Sequence, residues 1–393
     1  MDAKPEDFPF PGTAFSVEDN RLHLVHSAQE RLGAVIALIS GARESIRMFF
    51  YMIDPDQTGQ EVLDALVAAA RRGVAVRVMI DSFGSANTPH SFFDPLVAVG
   101  GQYDCFGSHW GIGYFVRNHQ KILIADGRHA LVGGFNLTDQ YFDRKGADSW
   151  EDLGLIVSGP AARHLADYYD EMDALCINGR VKFHKMRRLT RDWQPGTGKL
   201  IWLVGGPTNR ISSWGLALKH ALADARRLDI VAAYFSPSHA MLRRIAKVAR
   251  RKKGARLVMA GKSDNGATIG AARLLYRYLL KRKARIYEYQ PQPLHSKFFV
   301  IDDLVFIGSA NLDIRSLFIN LEIMVRIDDA GFASHMRGMV DALVLQSEEQ
   351  TPALLQRRDT IWSRFKSGLA YFLVNSVDYS IGRRLKFRLL PKS

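Results

Sequence analysis

The chain has 393 residues, of which 47% are apolar and 24% charged, so its composition excludes the disordered and fibrous classes and indicates a globular protein. A formal net charge of +13 and a pI near 9.7 predict an anionic partner: nucleic acid, an anionic membrane surface or a phosphorylated substrate. The two cysteines, Cys105 and Cys176, lack metal-ligand spacing and predict free thiols in a reducing compartment.

Strands and helices alternate along the chain after an irregular lead-in at residues 1–20. A strand at 46–52, an amphipathic helix at 60–72 and a buried strand at 74–80 follow one another in the first part of the chain. The same order of strand, helix and strand returns at 228–260. This order predicts an α/β fold with parallel pairing, and its recurrence predicts an internal duplication.

The duplication predicts a first half at 21–186 and a second half at 200–344. They are joined by a linker at 187–199, whose composition is that of a loop. The remaining segment, 345–393, alternates basic with aromatic residues. This pattern fits a basic amphipathic segment lying on an anionic membrane, and it fits equally a helix that packs its aromatic face on the body of the protein.

One short pattern occurs once in each half. It consists of a His, a Lys two residues later, an Asp five residues after the Lys, an apolar strand and a small-residue turn that ends in Asn. The first copy contains His119, Lys121, Asp126 and Asn136, and the second contains His295, Lys297, Asp302 and Asn311. A single match is weak evidence, but two copies with nearly the same spacing are specific.

The spacing predicts which side chains of the pattern act together. Side chains two residues apart in a strand share a face, so each His lies beside its Lys, and the returning strand brings the Asn back to them. Asp126 and Asp302 complete the candidate catalytic set, yet each lies at a hairpin turn, where an Asp hydrogen-bonds the backbone. The position therefore favours a structural role for both carboxylates.

Two imidazoles, two ammonium groups and two carboxamides suit a phosphodiester. One His attacks phosphorus and the other protonates the leaving oxygen, while the lysines and the amides of Asn136 and Asn311 bind the phosphoryl oxygens. No metal or other cofactor is expected. Each His also needs an orienting acid, for which Asp152 and Glu322, both just before apolar strands, are the candidates.

Residues 20–345 resemble the phospholipase D superfamily with two His-Lys-Asp motifs. Within it the chain is similar to bacterial cardiolipin synthases that lack N-terminal transmembrane helices. That similarity rests on Tyr51 with Asp54 and Gly59, on 72–77, and on 308–316 followed by 320–322. The resemblance implies two similar α/β/α halves, each with a mixed sheet flanked by helices, packed with pseudo-twofold symmetry. It also implies a phosphohistidine on His119, with His295 as acid and base, and strengthens the case for Asp152 and Glu322.

The expected function is phosphatidyl transfer that makes cardiolipin from phosphatidylglycerol, with hydrolysis to phosphatidic acid as the alternative. A nuclease of the superfamily also fits the charge, but such nucleases typically carry one motif per chain. A non-catalytic membrane-binding protein is disfavoured because both His-Lys pairs are intact. The expected partners are phosphatidylglycerol and the membrane surface, without nucleic acid. With no signal peptide or membrane span visible, we expect a monomer in the cytoplasm, peripheral on the inner face of the bacterial membrane.

Overall fold

The computed structural model describes residue 10 and residues 13–107, 116–144, 149–177, 180–181, 183–208, 210–252, 254–263 and 266–358. The first unit contains β1 (Ala14–Val17), β2 (Asn20–Val25), α1 (Ala28–Gly41), β3 (Ser45–Phe50), α2 (Gln57–Arg71), β4 (Ala75–Asp81), α3 (Asp94–Ala98), β5 (Gln102–Phe106), β6 (Lys121–Ala125), β7 (His129–Gly133), β8 (Gly154–Ser158), α4 (Pro160–Asp173), β9 (Cys176–Ile177), β10 (Arg180–Val181) and α5 (Phe183–Asp192).

The second unit repeats this order. It contains β11 (Leu200–Gly205), α6 (Ser213–Asp224), β12 (Leu228–Ala232), β13 (Phe235–Ser236), α7 (His239–Ala249), β14 (Ala255–Ala260), α8 (Gly266–Leu280), β15 (Arg285–Tyr289), β16 (Phe298–Ile301), β17 (Leu304–Gly308), β18 (Leu312–Asp313), α9 (Ile314–Phe318), β19 (Glu322–Asp328), α10 (Ala330–Leu345), β20 (Ser347–Gln350) and α11 (Pro352–Arg358).

Each unit is built around an eight-stranded mixed sheet. The strand order is β1-β2-β8-β7-β6-β3-β4-β5 in the first and β11-β19-β17-β16-β12-β14-β15-β20 in the second. Strands β3, β4 and β5 are parallel, as are β12, β14 and β15. An antiparallel hairpin, β6–β7 or β16–β17, joins each parallel set. The duplicated α/β fold predicted from the sequence is therefore confirmed.

One apolar core lies between the two sheets and contains residues of both units. Helices α4 and α10 lie in this core, where Tyr168 and Tyr169 of α4 and Phe332 and Met336 of α10 are completely buried. The outer face of the first sheet packs against α1 and α2, and that of the second against α6, α7 and α8. The layers are therefore helix, sheet, helix, sheet, helix, and the two halves share their central layer.

The irregular lead-in predicted at 1–20 is wrong where the structure describes it. Strand β1 and the start of β2 lie within it and pair as an antiparallel hairpin, Ala14 opposite His23 and Val17 opposite Asn20. Glu18 closes the tight turn with a φ of 51°, a conformation that a non-glycine residue rarely adopts. The strand has only four residues, Ala-Phe-Ser-Val, which do not alternate strictly between apolar and polar, so the sequence gives no clear strand pattern here.

The predicted linker and the predicted C-terminal segment also begin at other residues than expected. Helix α5 runs to Asp192 and so occupies the first part of the predicted linker at 187–199, with Met186 and Leu189 buried in the central core. Strand β20 pairs with β15, and Leu355 of α11 is buried, so residues 345–358 belong to the second unit. The rest of the segment 345–393 lies outside the described residues, and its proposed place on a membrane stays a prediction.

Cys105 and Cys176 are free thiols, as predicted. Burial raises the pKa of both to about 12, so neither is a reactive thiolate near neutral pH. Within the part of the chain that the structure describes, no helix has both the length and the hydropathy needed to cross a bilayer.

Candidate active site

The two His-Lys segments come together because each one hydrogen-bonds to the opposite half. The amide of His119 donates to the carbonyl of Leu321 at 2.9 Å, and the Leu321 amide donates to the Arg117 carbonyl at 2.8 Å. In the second copy, the amide of His295 donates to the carbonyl of Glu151 at 2.7 Å, and the Glu151 amide donates to the Pro293 carbonyl at 2.9 Å. Main-chain bonds thus fix both histidines across the interface between the halves.

The side chains alternate along the first segment as its spacing predicts. Asn118 and Gln120 point toward α4: the Asn118 amide lies 3.2 Å from the sulfur of Met172, and the Gln120 amide donates to the Tyr168 hydroxyl at 2.7 Å. His119 therefore lies on the opposite face of the extended segment. Lys121 shares that face, and its ammonium donates to the His119 carbonyl at 2.8 Å.

Each histidine is paired with a carboxylate from the other half. His119 Nδ1 lies 3.2 Å from Glu322 Oε2, and His295 Nδ1 lies 2.6 Å from Asp152 Oδ2. The sequence indicated these two acids but not the crossed pairing. Since a carboxylate only accepts, the Nδ1 proton of each ring lies toward its acid, which leaves Nε2 to face the site.

The two acids are buried and yet ionised. Burial alone would raise the pKa of Asp152, but the charge of Lys297 and the hydrogen bond from His295 outweigh it and lower the pKa. The pKa of Glu322 is lowered in the same way, by the hydrogen bond from His119 and the charge of Lys121. Two hydroxyls also donate to Glu322, from Ser309 at 2.5 Å and Ser316 at 2.8 Å.

Both histidines are neutral near pH 7. Burial and the charge of Lys121 lower the pKa of His119, and burial and the charge of Lys297 lower the pKa of His295 to about 3. A neutral Nε2 has a free lone pair and can attack phosphorus. A bound phosphodiester brings negative charge to the site, which favours the protonated form of a neighbouring imidazole.

The two predicted asparagines are buried at the same site. Asn136 and Asn311 are each 4% exposed, and the side-chain oxygens of both accept no hydrogen bond from the described residues. Asn136 Nδ2 donates to the Tyr141 hydroxyl at 3.2 Å, and this hydroxyl lies 3.5 Å from His295 Nε2. Each unpaired Oδ1 can only accept from a donor such as a hydroxyl, so Nδ2 is the atom of each amide that can donate to a phosphoryl oxygen.

The sequence reasoning missed two buried groups that support the histidine segments. Asp81, at the end of β4, accepts from the amide of Asn118 at 2.8 Å, and burial raises its pKa to about 6. Arg31 of α1 is 1% exposed and donates to the main-chain carbonyls of Tyr141, Trp150 and Asp152. The position of Asp81 just after a parallel strand is a sequence feature from which its place at the site could be predicted. Nothing in the residue spacing of α1 indicates the role of Arg31.

Asp126 and Asp302 lie at the far ends of their strands, away from the histidines. The carboxylate of Asp126 accepts from the amides of Arg43, Glu44 and Ser45, and that of Asp302 accepts from those of Arg226 and Arg227. Both residues have positive φ angles, 54° and 48°. This geometry supports the structural role that the turn position favoured, rather than the catalytic role.

The described residues contain no cluster of three or more His, Cys, Asp or Glu side chains that could hold a metal ion. The charges placed to meet a phosphate in this site are those of Lys121 and Lys297. Lys297 donates to the His295 carbonyl, and its ammonium lies 2.9 Å from His295 Nδ1. Burial lowers the pKa of Lys121 to about 7.

Fold and site together define an enzyme whose two halves build one phosphodiester-transfer centre. Residues 35–173 and 218–344 match the family described as cardiolipin synthase, PLD-like domain, and the chain belongs to this family. The family inferred from the two His-Lys-Asp motifs is therefore confirmed.

Known proteins similar to the chain cover most of its length. Cardiolipin synthase B of Escherichia coli O6:H1 is 29% identical over 374 residues, which are 93% of this chain and 90% of that protein. Cardiolipin synthase A of Pseudomonas syringae pv. syringae is 29% identical over 85% of this chain and 70% of its own length. The crystal structure of phosphatidylserine synthase from Haemophilus influenzae Rd KW20 shares the fold, with a TM-score of 0.73, 14% identity and coverage of 95% and 97%.

Proposed function

We propose that the chain is a phosphatidyltransferase that makes cardiolipin from two molecules of phosphatidylglycerol. One observation carries the proposal. His119 and His295, each hydrogen-bonded to a carboxylate of the other half, share a buried site with two lysines and two asparagines. The similarity to proteins named cardiolipin synthase over nearly the whole chain supports this choice of substrate.

In the first step, neutral His119 attacks phosphorus through Nε2. A bond from Nε2 to phosphorus forms, the bond from phosphorus to the glycerol oxygen breaks, and His295 gives its proton to that oxygen. Lys121 and Lys297 neutralise the phosphoryl oxygens, and the amides of Asn136 and Asn311 are the added donors. Glycerol leaves, and a phosphatidyl group remains on His119.

In the second step, the terminal hydroxyl of another phosphatidylglycerol gives its proton to His295 and attacks phosphorus. The new oxygen–phosphorus bond forms as the bond to His119 breaks, which releases cardiolipin and restores both histidines. Glu322 and Asp152 hold the two rings so that Nε2 faces phosphorus in both steps. Water in place of the second lipid would give phosphatidic acid by the same chemistry.

We also propose that the enzyme works as a monomer at the inner surface of the bacterial membrane and does not bind nucleic acid. Both motifs lie in one chain and complete each other there, so a second chain is not needed for the site. The net charge of +13 favours an anionic lipid surface.

Purified protein mixed with phosphatidylglycerol vesicles tests the proposal. We expect cardiolipin and free glycerol in equal amounts, and neither product from His119→Asn. An Arg128→Gln variant, which changes an exposed side chain in the turn of the β6–β7 hairpin, is the matched control. Phosphatidic acid as the only product would make the protein a phospholipase, and no lipid turnover at all would overturn the proposal.

A further inference from the structure

The segment that holds His295 carries a charged pair on its other face. The carbonyl of Glu151 accepts from the amides of His295 at 2.7 Å and Ser296 at 2.9 Å. The next residue, Asp152, holds the ring of His295 through its carboxylate. Successive side chains of an extended segment point to opposite sides, so the carboxylate of Glu151 points away from the site. There it contacts Nε2 of His26.

His26 and Glu151 form an ion pair. The hydrogen bond with Glu151 outweighs burial and raises the pKa of His26, which favours the imidazolium form. The side chain of Glu151 is only 9% exposed, whereas that of His26 is 45% exposed. A buried carboxylate that loses its cation either moves toward water or takes up a proton. The imidazolium of His26 therefore keeps the Glu151 carboxylate, and with it this segment, in place.

The equivalent pair in the other half is apolar. Strand β2 pairs with β8 as β11 pairs with β19, and this register aligns His26 with Val204. Glu151 corresponds to Leu321, because each is the residue before the acid that orients a histidine. The carbonyl of Leu321 likewise accepts from the amide of a histidine, here His119. The main-chain bond to the histidine therefore needs no charged side chain at this position.

Close packing surrounds the apolar pair. Val204 is 2% exposed and Leu321 is completely buried, and both belong to the central core. Helix α5 adds Met186 and Leu189 to the same core, and its Thr190 lies directly against the residue that follows β11. The side chain of Leu321 is thus held by packing alone.

Beside His26 and Glu151 there is a cavity in place of such packing. It has a volume of about 380 Å³, and its other walls include the face of α10 that carries Met339 and Leu343. A cavity leaves the Glu151 side chain without contacts on that side, so packing does not fix it. The ion pair with His26 therefore does for Glu151 what close packing does for Leu321.

We propose that His26 is a positioning residue for His295 and acts through Glu151. The intact pair fixes the main chain of Glu151, which holds both the amide of His295 and the Asp152 carboxylate that orients its ring. This inference rests on the proposed function, in which His295 gives its proton to the leaving glycerol oxygen. Loss of His26 leaves the Glu151 carboxylate buried without its cation. The segment then shifts, and His295 is no longer aligned to donate.

Two donors that differ only in the leaving group test this role. Both carry the same short-chain phosphatidyl group, one on glycerol and one on nitrophenol, and kcat/KM is measured for each. Glycerol needs a proton from His295 as it leaves, whereas nitrophenolate leaves without one. We expect His26→Val to lower kcat/KM for the glycerol donor about tenfold and to leave that for the nitrophenol donor nearly unchanged. A smaller amount of folded protein would lower both values equally, so their ratio reports on His295.

The double variant His26→Val with Glu151→Leu recreates the apolar pair of the other half. It removes the buried carboxylate together with its cation, so we expect its donor ratio to lie nearer to the wild-type ratio than that of His26→Val. His220→Gln, at an exposed side chain of α6, is the matched control and should keep the wild-type ratio. Circular dichroism and thermal unfolding check that each variant is folded, and His26→Gln replaces His26→Val if the latter unfolds.

An unchanged donor ratio in the folded His26 variant, including an equal loss with both donors, overturns the positioning role and leaves the transferase intact. A double variant no closer to wild type than His26→Val overturns the action through Glu151. Absence of turnover of the glycerol donor by the wild type overturns the proposed function, and the positioning role with it.

Discussion

Lys121 is a buried cation whose charge depends on the pH of the cell. Burial lowers its pKa to about 7, with the repulsion of Lys297 acting in the same direction and the attraction of Glu322 opposing them. Below that pH the ammonium is charged and binds an anion. Above it the amine is neutral and contributes only a weak hydrogen bond. Anion binding at this site should therefore weaken as the pH rises through 7.

Tungstate binding tests this expectation, because the charge of tungstate stays constant near neutral pH. We expect its Kd, measured by calorimetry, to rise about tenfold between pH 6.5 and 8.5 as Lys121 loses its proton. In Lys121→Met, binding should be weak at both values and the step should vanish. A wild-type Kd that stays constant over this range would show that Lys121 keeps its charge.

At the scale of residues, the sequence predicts those site residues that occur at matching positions in the two halves. The two copies of His, Lys and Asn were found because their spacing is duplicated, and the acids Asp152 and Glu322 because they occupy matching places. The crossed pairing of His119 with Glu322 and of His295 with Asp152 could not be predicted. It depends on how the halves dock, which no local pattern encodes.

The β6–β7 hairpin is the element that carries His119 and Lys121 into the site. Asp126 lies in its turn at a φ of 54° and accepts from the amides of Arg43, Glu44 and Ser45, at the start of β3. Its carboxylate therefore ties the hairpin to the neighbouring strand. This contact lies at the end of the sheet opposite the two histidines.

Asp126→Ala should lower the free energy of unfolding by about 2 kcal/mol, because three main-chain amides lose a charged acceptor. Urea unfolding measures the change, and Asp303→Ala, at an exposed turn residue, is the control and should stay within about 0.5 kcal/mol of wild type. Folded Asp126→Ala should keep most of its transferase rate. Complete loss of kcat at unchanged stability would instead place Asp126 in the chemistry.

Elements with strong periodicity could be predicted, and short or polar ones could not. The parallel strands and α2 have clear apolar patterns, whereas β1 is a four-residue strand without strict alternation that is held by its pairing with β2. Residues 187–192 of α5 contain three arginines and one apolar residue, a composition that predicts a linker, although that residue, Leu189, is buried in the central core. Contacts with the rest of the fold, rather than the local sequence, make these two segments a strand and a helix.

The whole molecule works as one unit because the halves share both a core and a site. Helices α4 and α10 fill the layer between the sheets, so neither half has a complete core alone. The main-chain bonds of His119 to Leu321 and of His295 to Glu151 cross the same interface. The duplication predicted two halves and one joint site, and the arrangement of the shared layer followed only from the structure.

The central claim is that one histidine of this joint site forms a covalent phosphatidyl intermediate while the other moves the proton. A phosphatidyl donor with a nitrophenol leaving group, labelled at phosphorus, needs no acid for the first step. Mixing it with enzyme and quenching in detergent above neutral pH preserves a phosphorus–nitrogen bond, and mass spectrometry of the peptide around residue 119 locates it.

We expect transient label on His119 in the wild type, accumulation in His295→Asn because the second step lacks its base, and none in His119→Asn. Label that persists in His119→Asn and disappears in His295→Asn would reverse the roles of the two histidines. Product formation with no label in any of the three proteins would contradict the covalent mechanism itself.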